Sequence, residues 1–308
     1  MKIIFSALGS GFANNGGSKT ILSCTNVLSD LGHEVIIATK MFNFTWFKIK
    51  AKVVKEFPKN ADVIIATAVS TVKPVALLET KARKFWYVRG WETWNKSFNM
   101  EKEVKRIPVI VNSEWLRDKV CECTGKCPPV VYPGIDDHFY STGRAVSGEV
   151  SVGGLYCSRG LKRFKLWAKV VKRVMEERRI RVRLFGDEEK PALPFGFDYV
   201  RRPGPVAHRE FYNSCDVWLF TSENEGLHIP PMEAGACGCA LVGSDIGGVR
   251  DYAVHGETAL LGEDYVGNVV RLVDDVGLRR ELSGNLVKLL GTKIGGRRRN
   301  MERLVGLL

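Results

Sequence analysis

The sequence predicts an α/β protein made of two doubly wound, Rossmann-like domains facing a cleft. Three observations carry this reading. Short β-rich apolar runs alternate with helical patterns from end to end, a glycine-rich loop joins the first run to the first helix, and the rhythm restarts near residue 149. A chain of 308 residues also suits about two domains.

Taken in order, KIIFSAL at 2–8, EVIIATK at 34–40, DVIIATAV at 62–69, KFWYV at 84–88 and VIVNS at 109–113 read as strands. Between the first two, Ile21, Cys24, Leu28 and Leu31 recur at helical spacing, which makes a strand, glycine loop, helix, strand unit. That is a βαβ crossover, and it calls for a parallel sheet. His33 belongs to the turn before the second strand. The pattern resumes with EVSVGGL at 149–155, a helix carrying Trp167, Val170, Val171 and Val174, then RVRLFG at 181–186, VWLF at 217–220 and CALVG at 239–243. The boundary falls between VVYPGID and STGRAVSG, giving domains at 1–142 and 143–296 and a basic helix at 297–308. That helix either crosses back to the first domain or lies on a membrane surface with Leu304, Val305, Leu307 and Leu308 as its apolar face.

Composition limits the function classes. No apolar run approaches the ~18 residues of a membrane span, and the start of the chain has too short an apolar stretch for a signal peptide, so the expected place is the cytoplasm, with peripheral contact at the inner membrane face as an extension. A net charge of +12 favours an anionic partner: a nucleoside diphosphate, lipid headgroups or nucleic acid. No recognised nucleic-acid motif supports the last. Glutamine is absent, which fits a thermophilic origin. The run CECTGKCPP has no fourth ligand for zinc, so Cys121, Cys123 and Cys127 read as free thiols or one disulfide.

The densest chemistry lies in TSENEGLHIPPMEAGACGCALVGSDIGGVRDYAVHGETALL, residues 221–261. Glu225 and Glu233 flank a glycine- and proline-shaped loop at a strand's carboxyl end. Pro230 and Pro231 suit the first turn of a helix, so Met232 onward should be helical with Glu233 in its opening turn. Free N–H groups at such a helix start suit a diphosphate or sugar hydroxyls. Earlier, Gly16 and Gly17 in GSGFANNGGSK let backbone approach a phosphate at the start of the first helix, although the spacing is neither a dinucleotide nor a Walker pattern.

The stretch EGLHIPPMEAGACGCALVGSDIGG resembles the signature of retaining, nucleotide-sugar-dependent glycosyltransferases of family 4, E-G-x-G-x-P-x-x-E-A followed by a small-residue helix, a strand and S-x-x-G-G. The glycine loop and LGHEV at 31–35 are similar to that family's amino-terminal domain. The resemblance implies the GT-B arrangement and a metal-independent transfer of a hexose from a GDP- or UDP-sugar to a glycan, lipid-linked or other hydroxyl, with no cofactor beyond the donor. It places Glu225 beside the transferring sugar and Glu233 on the donor ribose, with Gly16, Gly17, Gly226, Leu227, His228 and Ile229 around the donor. His228 stands where the family commonly has glycine.

The family's V-G-R-L and K-G read here as VGGL and RG, so Gly154 replaces an expected arginine and Arg159 the expected lysine. Lys162 is the chosen substitute for the missing charge. Arg159, Lys162 and the N–H groups of residues 226–229 would then neutralise the leaving diphosphate. The run RRPGPVAHREFYNSCDVWLF at 201–220 resembles the region where the nucleotide base packs. YVRGWETW offers Arg89, Trp91, Glu92 and Trp94 to an acceptor, and no histidine base is assigned there. A nucleotide-sugar epimerase, a phosphorylase-like enzyme on the same fold, and a non-catalytic nucleotide-sugar or glycan-binding protein are the competing readings.

Overall fold

The β-branched runs form parallel strands, as seen in a computed structural model that describes residues 1–58, 60–93, 97–143 and 148–308. The chain divides into two units, Met1–Gly134 with Gly296–Leu308, and Ile135–Gly295. The junction is at 134/135, where the sequence suggested 142/143.

In the first unit the strands are β1 (Lys2–Ser6), β2 (Phe12–Ala13), β3 (Glu34–Ala38), β4 (Phe42–Asn43), β5 (Lys52–Val54), β6 (Val63–Ala66), β7 (Arg83–Val88) and β8 (Val109–Val111). Six of them form one sheet in the order β5-β3-β1-β6-β7-β8, while β2 pairs with β4. Every pairing is parallel, with Ile3 beside both Val35 and Val63. Because side chains alternate along a strand, Ile3 and Phe5 enter one core and Ile4 the other. The first core is covered by α1 (Gly16–Asp30) through Ile21, Leu22, Cys24 and Leu28. The second is covered by α2 (Val69–Leu77), α3 (Met100–Glu103) and α4 (Glu114–Thr124). Cys121 and Cys127 form a disulfide at the end of α4, and Cys123 keeps its thiol.

The second unit repeats the plan with β9 (Ser151–Tyr156), β10 (Arg181–Gly186), β11 (Asp198–Arg201), β12 (Val217–Phe220), β13 (Ala240–Gly243) and β14 (Ala259–Leu261), in the order β11-β10-β9-β12-β13-β14. Its helices are α5 (Phe164–Glu177), α6 (Pro205–Asn213), α7 (Ile229–Ala236), α8 (Tyr265–Asp274) and α9 (Val276–Leu289). In both sheets the first strand has its second strand on one side and its fourth on the other, the doubly wound order 3-2-1-4-5-6. The direction of winding reverses there, which leaves a crevice at the strand carboxyl ends.

The last helix, α10 (Arg297–Leu307), belongs to the first unit and buries Met301, Leu304 and Leu308 in its first core. Its start is fixed by a close approach to Gly134, whose φ is +73°. A Cβ at 134 would lie 2.5 Å from the Cα of Arg297, so only glycine lets the two backbones meet. Arg297 then donates from Nη1 to the Pro133 carbonyl at 2.8 Å.

Candidate active site

In the second unit the switch point lies between β9 and β12, so the loops that follow those strands share one crevice. They are stitched together by backbone: Glu223 N–H donates to the Leu161 carbonyl at 2.9 Å, and Thr221 Oγ1 donates to the carbonyls of Lys162 and Arg163 at 3.2 Å each. This scaffold brings Lys162, from the loop after β9, into an ion pair with Glu225, from the loop after β12. Both side chains are 18% exposed, so the pair is screened but reachable. The backbone of Glu225 is held as well, its carbonyl accepting from Gly248 N–H at 3.3 Å, which ties the GG element to the same loop.

His228 completes the cluster, with Nε2 3.7 Å from Glu225 Oε1. Burial pushes the Glu225 carboxyl up, but neighbouring His228, the Lys162 ammonium and hydrogen bonds from Lys162 and Ser222 outweigh it and hold the group below the ordinary carboxylate value. Burial drives the His228 imidazole down to about 3, helped by Lys162 and opposed by Glu225. At neutral pH Glu225 is therefore a carboxylate and His228 a neutral imidazole. His228 has a φ of +62°, a conformation that costs a non-glycine residue energy. Its carbonyl accepts from Tyr252 Oη at 2.9 Å, which helps hold the turn. His228 and Lys162 line a cavity of about 20 Å³ together with Trp167, Ser222 and Pro230.

The helix that follows differs from the sequence expectation. It begins at Ile229, not Met232, with both prolines in its first turn, and Glu233 lies beyond that turn. A fixed proline φ is already helical, and the first turn has no use for the missing N–H groups. Glu233 is 2% exposed and accepts from Tyr212 Oη of α6 at 3.1 Å. Gly226 and Leu227 are buried, and Ile229 is half-buried. Arg159 is exposed and donates from Nε to Cys157 Sγ at 3.3 Å. Thus Lys162, Glu225 and His228 come together, whereas Arg159 and Glu233 have other partners.

Gly154 has a steric explanation. A Cβ there would lie 2.5 Å from Trp167 Nε1 and 2.6 Å from its Cε2. The indole, donating to the Leu219 carbonyl at 3.0 Å, fills the space an arginine side chain would need to leave the strand. The sequence places Trp167 on the helix after β9; there it is 2% exposed and excludes a side chain at 154, which its spacing alone does not reveal. An unexpected glycine in a strand, with a tryptophan in the next helix, was the available signal. Tyr212, Tyr252 and Ser222 were missed too, since no motif marks them.

In the first unit, Gly16 and Gly17 open α1, and Asn15 caps it by accepting from Ser18 N–H at 2.9 Å. Arg89, just after β7, donates to the Gly17 carbonyl at 2.7 Å and to the Thr67 carbonyl at 2.8 Å. It therefore ties α1 to the loop after β6 across that sheet's own switch point. Burial lowers its pKa, with Tyr87 and Glu92 opposing, and burial raises that of Glu92. Trp91 packs against the second core. Trp94 lies outside the described residues.

Residues 150–275 match the family described as Glycosyl transferases group 1. A curated relative, D-inositol 3-phosphate glycosyltransferase of Thermomonospora curvata, is 31% identical over 84 residues, which is 26% of this chain and 20% of that protein. This chain thus matches about a fifth of its length. Among solved structures, Anabaena HepE in complex with UDP and glucose superposes with a TM-score of 0.75 at 13% identity, covering 100% of this chain and 99% of that one. Sucrose-phosphate synthase from Thermosynechococcus elongatus gives 0.79 at 11% identity, covering 100% and 98%. The fold is the GT-B type, with two Rossmann-like units, and the resemblance to Glycosyl transferases group 1 is carried by residues 150–275.

Proposed function

We propose, from a chain whose residues 150–275 match Glycosyl transferases group 1, that this protein is a retaining glycosyltransferase moving a hexose from a nucleoside-diphosphate sugar to a hydroxyl acceptor. The observation that carries the reading is the Glu225–Lys162 ion pair, assembled from two loops at the switch point of the second sheet. A carboxylate beside an ammonium, at the start of a helix, matches the charges that develop when a sugar leaves a diphosphate.

Lys162 and the N–H groups of residues 226–229 stabilise the departing diphosphate, with Arg159 swinging in from the surface. Glu225 orients the sugar and stabilises positive charge on its ring. The anomeric carbon–phosphate oxygen bond breaks, the acceptor oxygen bonds the same face, and the departing phosphate oxygen takes the acceptor proton. No metal is required, because fixed cations and backbone dipoles supply the compensating charge. Glu233 binds the donor ribose once its hydrogen bond from Tyr212 is shared, and Gly16 and Gly17 let backbone approach a phosphate at the start of α1. Arg89 orders that glycine helix start, and Trp91 and Glu92 lie on the acceptor side.

UDP is the preferred donor nucleotide, since the HepE structure contains UDP and glucose. The acceptor is a glycan or lipid-linked hydroxyl, met at the cytoplasmic face of a membrane. The test is release of UDP from UDP-glucose in the presence of a chelator across an acceptor panel, with the product anomer read by NMR. An α-linked product formed with chelator present supports the reading. An inverted product, or strict dependence on a divalent cation, contradicts it.

A further inference from the structure

We propose that the first unit docks on an anionic lipid bilayer through a surface built from the loop at 44–50 and the exposed face of α10. The proposal deepens the membrane part of the function above by naming the surface that meets the lipid. These two segments are far apart in sequence, yet both pack on the core that α1 covers.

The loop reads FTWFKIK. Phe44 is buried, whereas Trp46, Phe47 and Ile49 lie half-buried at the rim of the core and Lys48 and Lys50 are exposed. Aromatic and aliphatic side chains interleaved with lysines match a headgroup region, where rings sit at the apolar boundary and ammonium groups meet phosphates. The loop is pinned along α1 at both ends. Asn14 Nδ2 donates to Thr45 Oγ1 and Thr45 N–H to Asn14 Oδ1, each at 2.9 Å; Asn26 Nδ2 donates to the Lys48 carbonyl at 2.9 Å and Asn26 Oδ1 accepts from Lys50 N–H at 2.8 Å. Trp46 and Phe47 are therefore presented at little further ordering cost.

The last helix adds charge to the same layer. It packs on α1, and Val305 joins Trp46, Phe47 and Ile49 at the rim of the core. Arg298, Arg299 and Arg303 are exposed, and Leu307 is 39% exposed. Two acids offset part of this charge: Asp30 pairs with Lys50, and Glu302 lies 3.5 Å from Arg298. Lys48, Arg299 and Arg303 remain exposed beyond those pairs. Lysines and arginines alone would form an ordinary solvated face. The half-exposed tryptophan and phenylalanine beside them favour a bilayer over a soluble anion.

The test is flotation of the full chain with vesicles of phosphatidylcholine alone or mixed equally with phosphatidylglycerol. The expected result is salt-sensitive flotation with the anionic vesicles only, reduced at least ~10-fold in a Lys48→Glu/Arg299→Glu/Arg303→Glu variant. Quenching by brominated lipid should fall when Trp46 is changed to phenylalanine. Unaltered melting of the charge variant shows that it folds, and unaltered UDP-sugar binding separates this surface from the donor site. No flotation, flotation unchanged in the charge variant, or equal flotation with neutral vesicles overturns the proposal. Salt-sensitive binding to duplex DNA that exceeds vesicle binding would assign the surface to nucleic acid and overturn it as well.

Discussion

In the first unit the crevice between β1 and β6 is furnished with glycines, backbone and one arginine that bonds two carbonyls; in the second, the same position between β9 and β12 holds a carboxylate, an ammonium and a neutral histidine. The strand order is common to both, so topology decides where a site can form. The loops after the strands decide what it does. Arg89 donates from both Nη atoms to backbone carbonyls of its own unit, whereas Lys162 bonds a carboxylate that a ligand can reach.

The sharpest way to break this comparison is at Lys162. Replacement by alanine should lower turnover by roughly 10²–10³-fold, as loss of a transition-state electrostatic partner does. The equivalent test in the first unit, Arg89→Ala, should weaken UDP binding much less than Lys162→Ala does and cost roughly 1–3 kcal/mol of stability, read by denaturant melts. If the two substitutions had equal effects on donor binding, the division of labour would be wrong.

A second test concerns Gly154. Restoring the expected arginine should not improve activity; it should destabilise the protein by about 1–3 kcal/mol or more through the clash with Trp167. The Gly154→Arg/Trp167→Ala pair should recover part of that loss in a double-mutant cycle. Simple addition of the two costs would show that the indole is not what excludes a side chain at 154.

A third test separates the units by pH. The folded pKa of His228 is about 3, below the ordinary 6.5, so the unfolded chain binds the extra proton first. Stability should therefore fall as pH drops from about 6.5 towards 3, by at most about 1.4 kcal/mol per pH unit from this group. Glu225, also lowered, adds loss in the same direction at more acid pH. His228→Asn, which tolerates the left-handed backbone, should flatten the upper part of this slope in pH-dependent melts. An unchanged slope would place the titration elsewhere.

The least change is expected at Gly17. A Cβ there would lie 3.2 Å from Arg89 Nη1 and 3.3 Å from Asn15 Oδ1. Gly17→Ala should gain up to about 1 kcal/mol of helix propensity and lose a similar amount in displaced contacts. A melting temperature within error of the parent fits; a large drop would mean the arginine tie is rigid.

Much of this was readable from the chain. Runs such as VIIA and VWLF are apolar enough, and rich enough in β-branched or aromatic residues, to declare strands, and the spacing of Glu225 and Glu233 marked the loop at which chemistry could gather. The three-residue edge strand β5 was missed because KVV with lysine neighbours carries too little pattern. The prolines marked the first turn of α7, but the helix starts one residue before them, at Ile229, which carries Glu233 beyond that turn. Enclosure of Glu233 by Tyr212 depends on α6 and α7 packing together, and no local pattern encodes a contact between helices.

The account rests on Lys162 having taken over the charge that Gly154 cannot carry. Calorimetric titration with UDP, in chelator, of the parent protein and of Lys162→Ala tests this directly. The account predicts metal-free binding by the parent and at least ~10-fold weaker binding by the variant, the loss expected for one charge-assisted hydrogen bond. Equal affinity in the two proteins would contradict it.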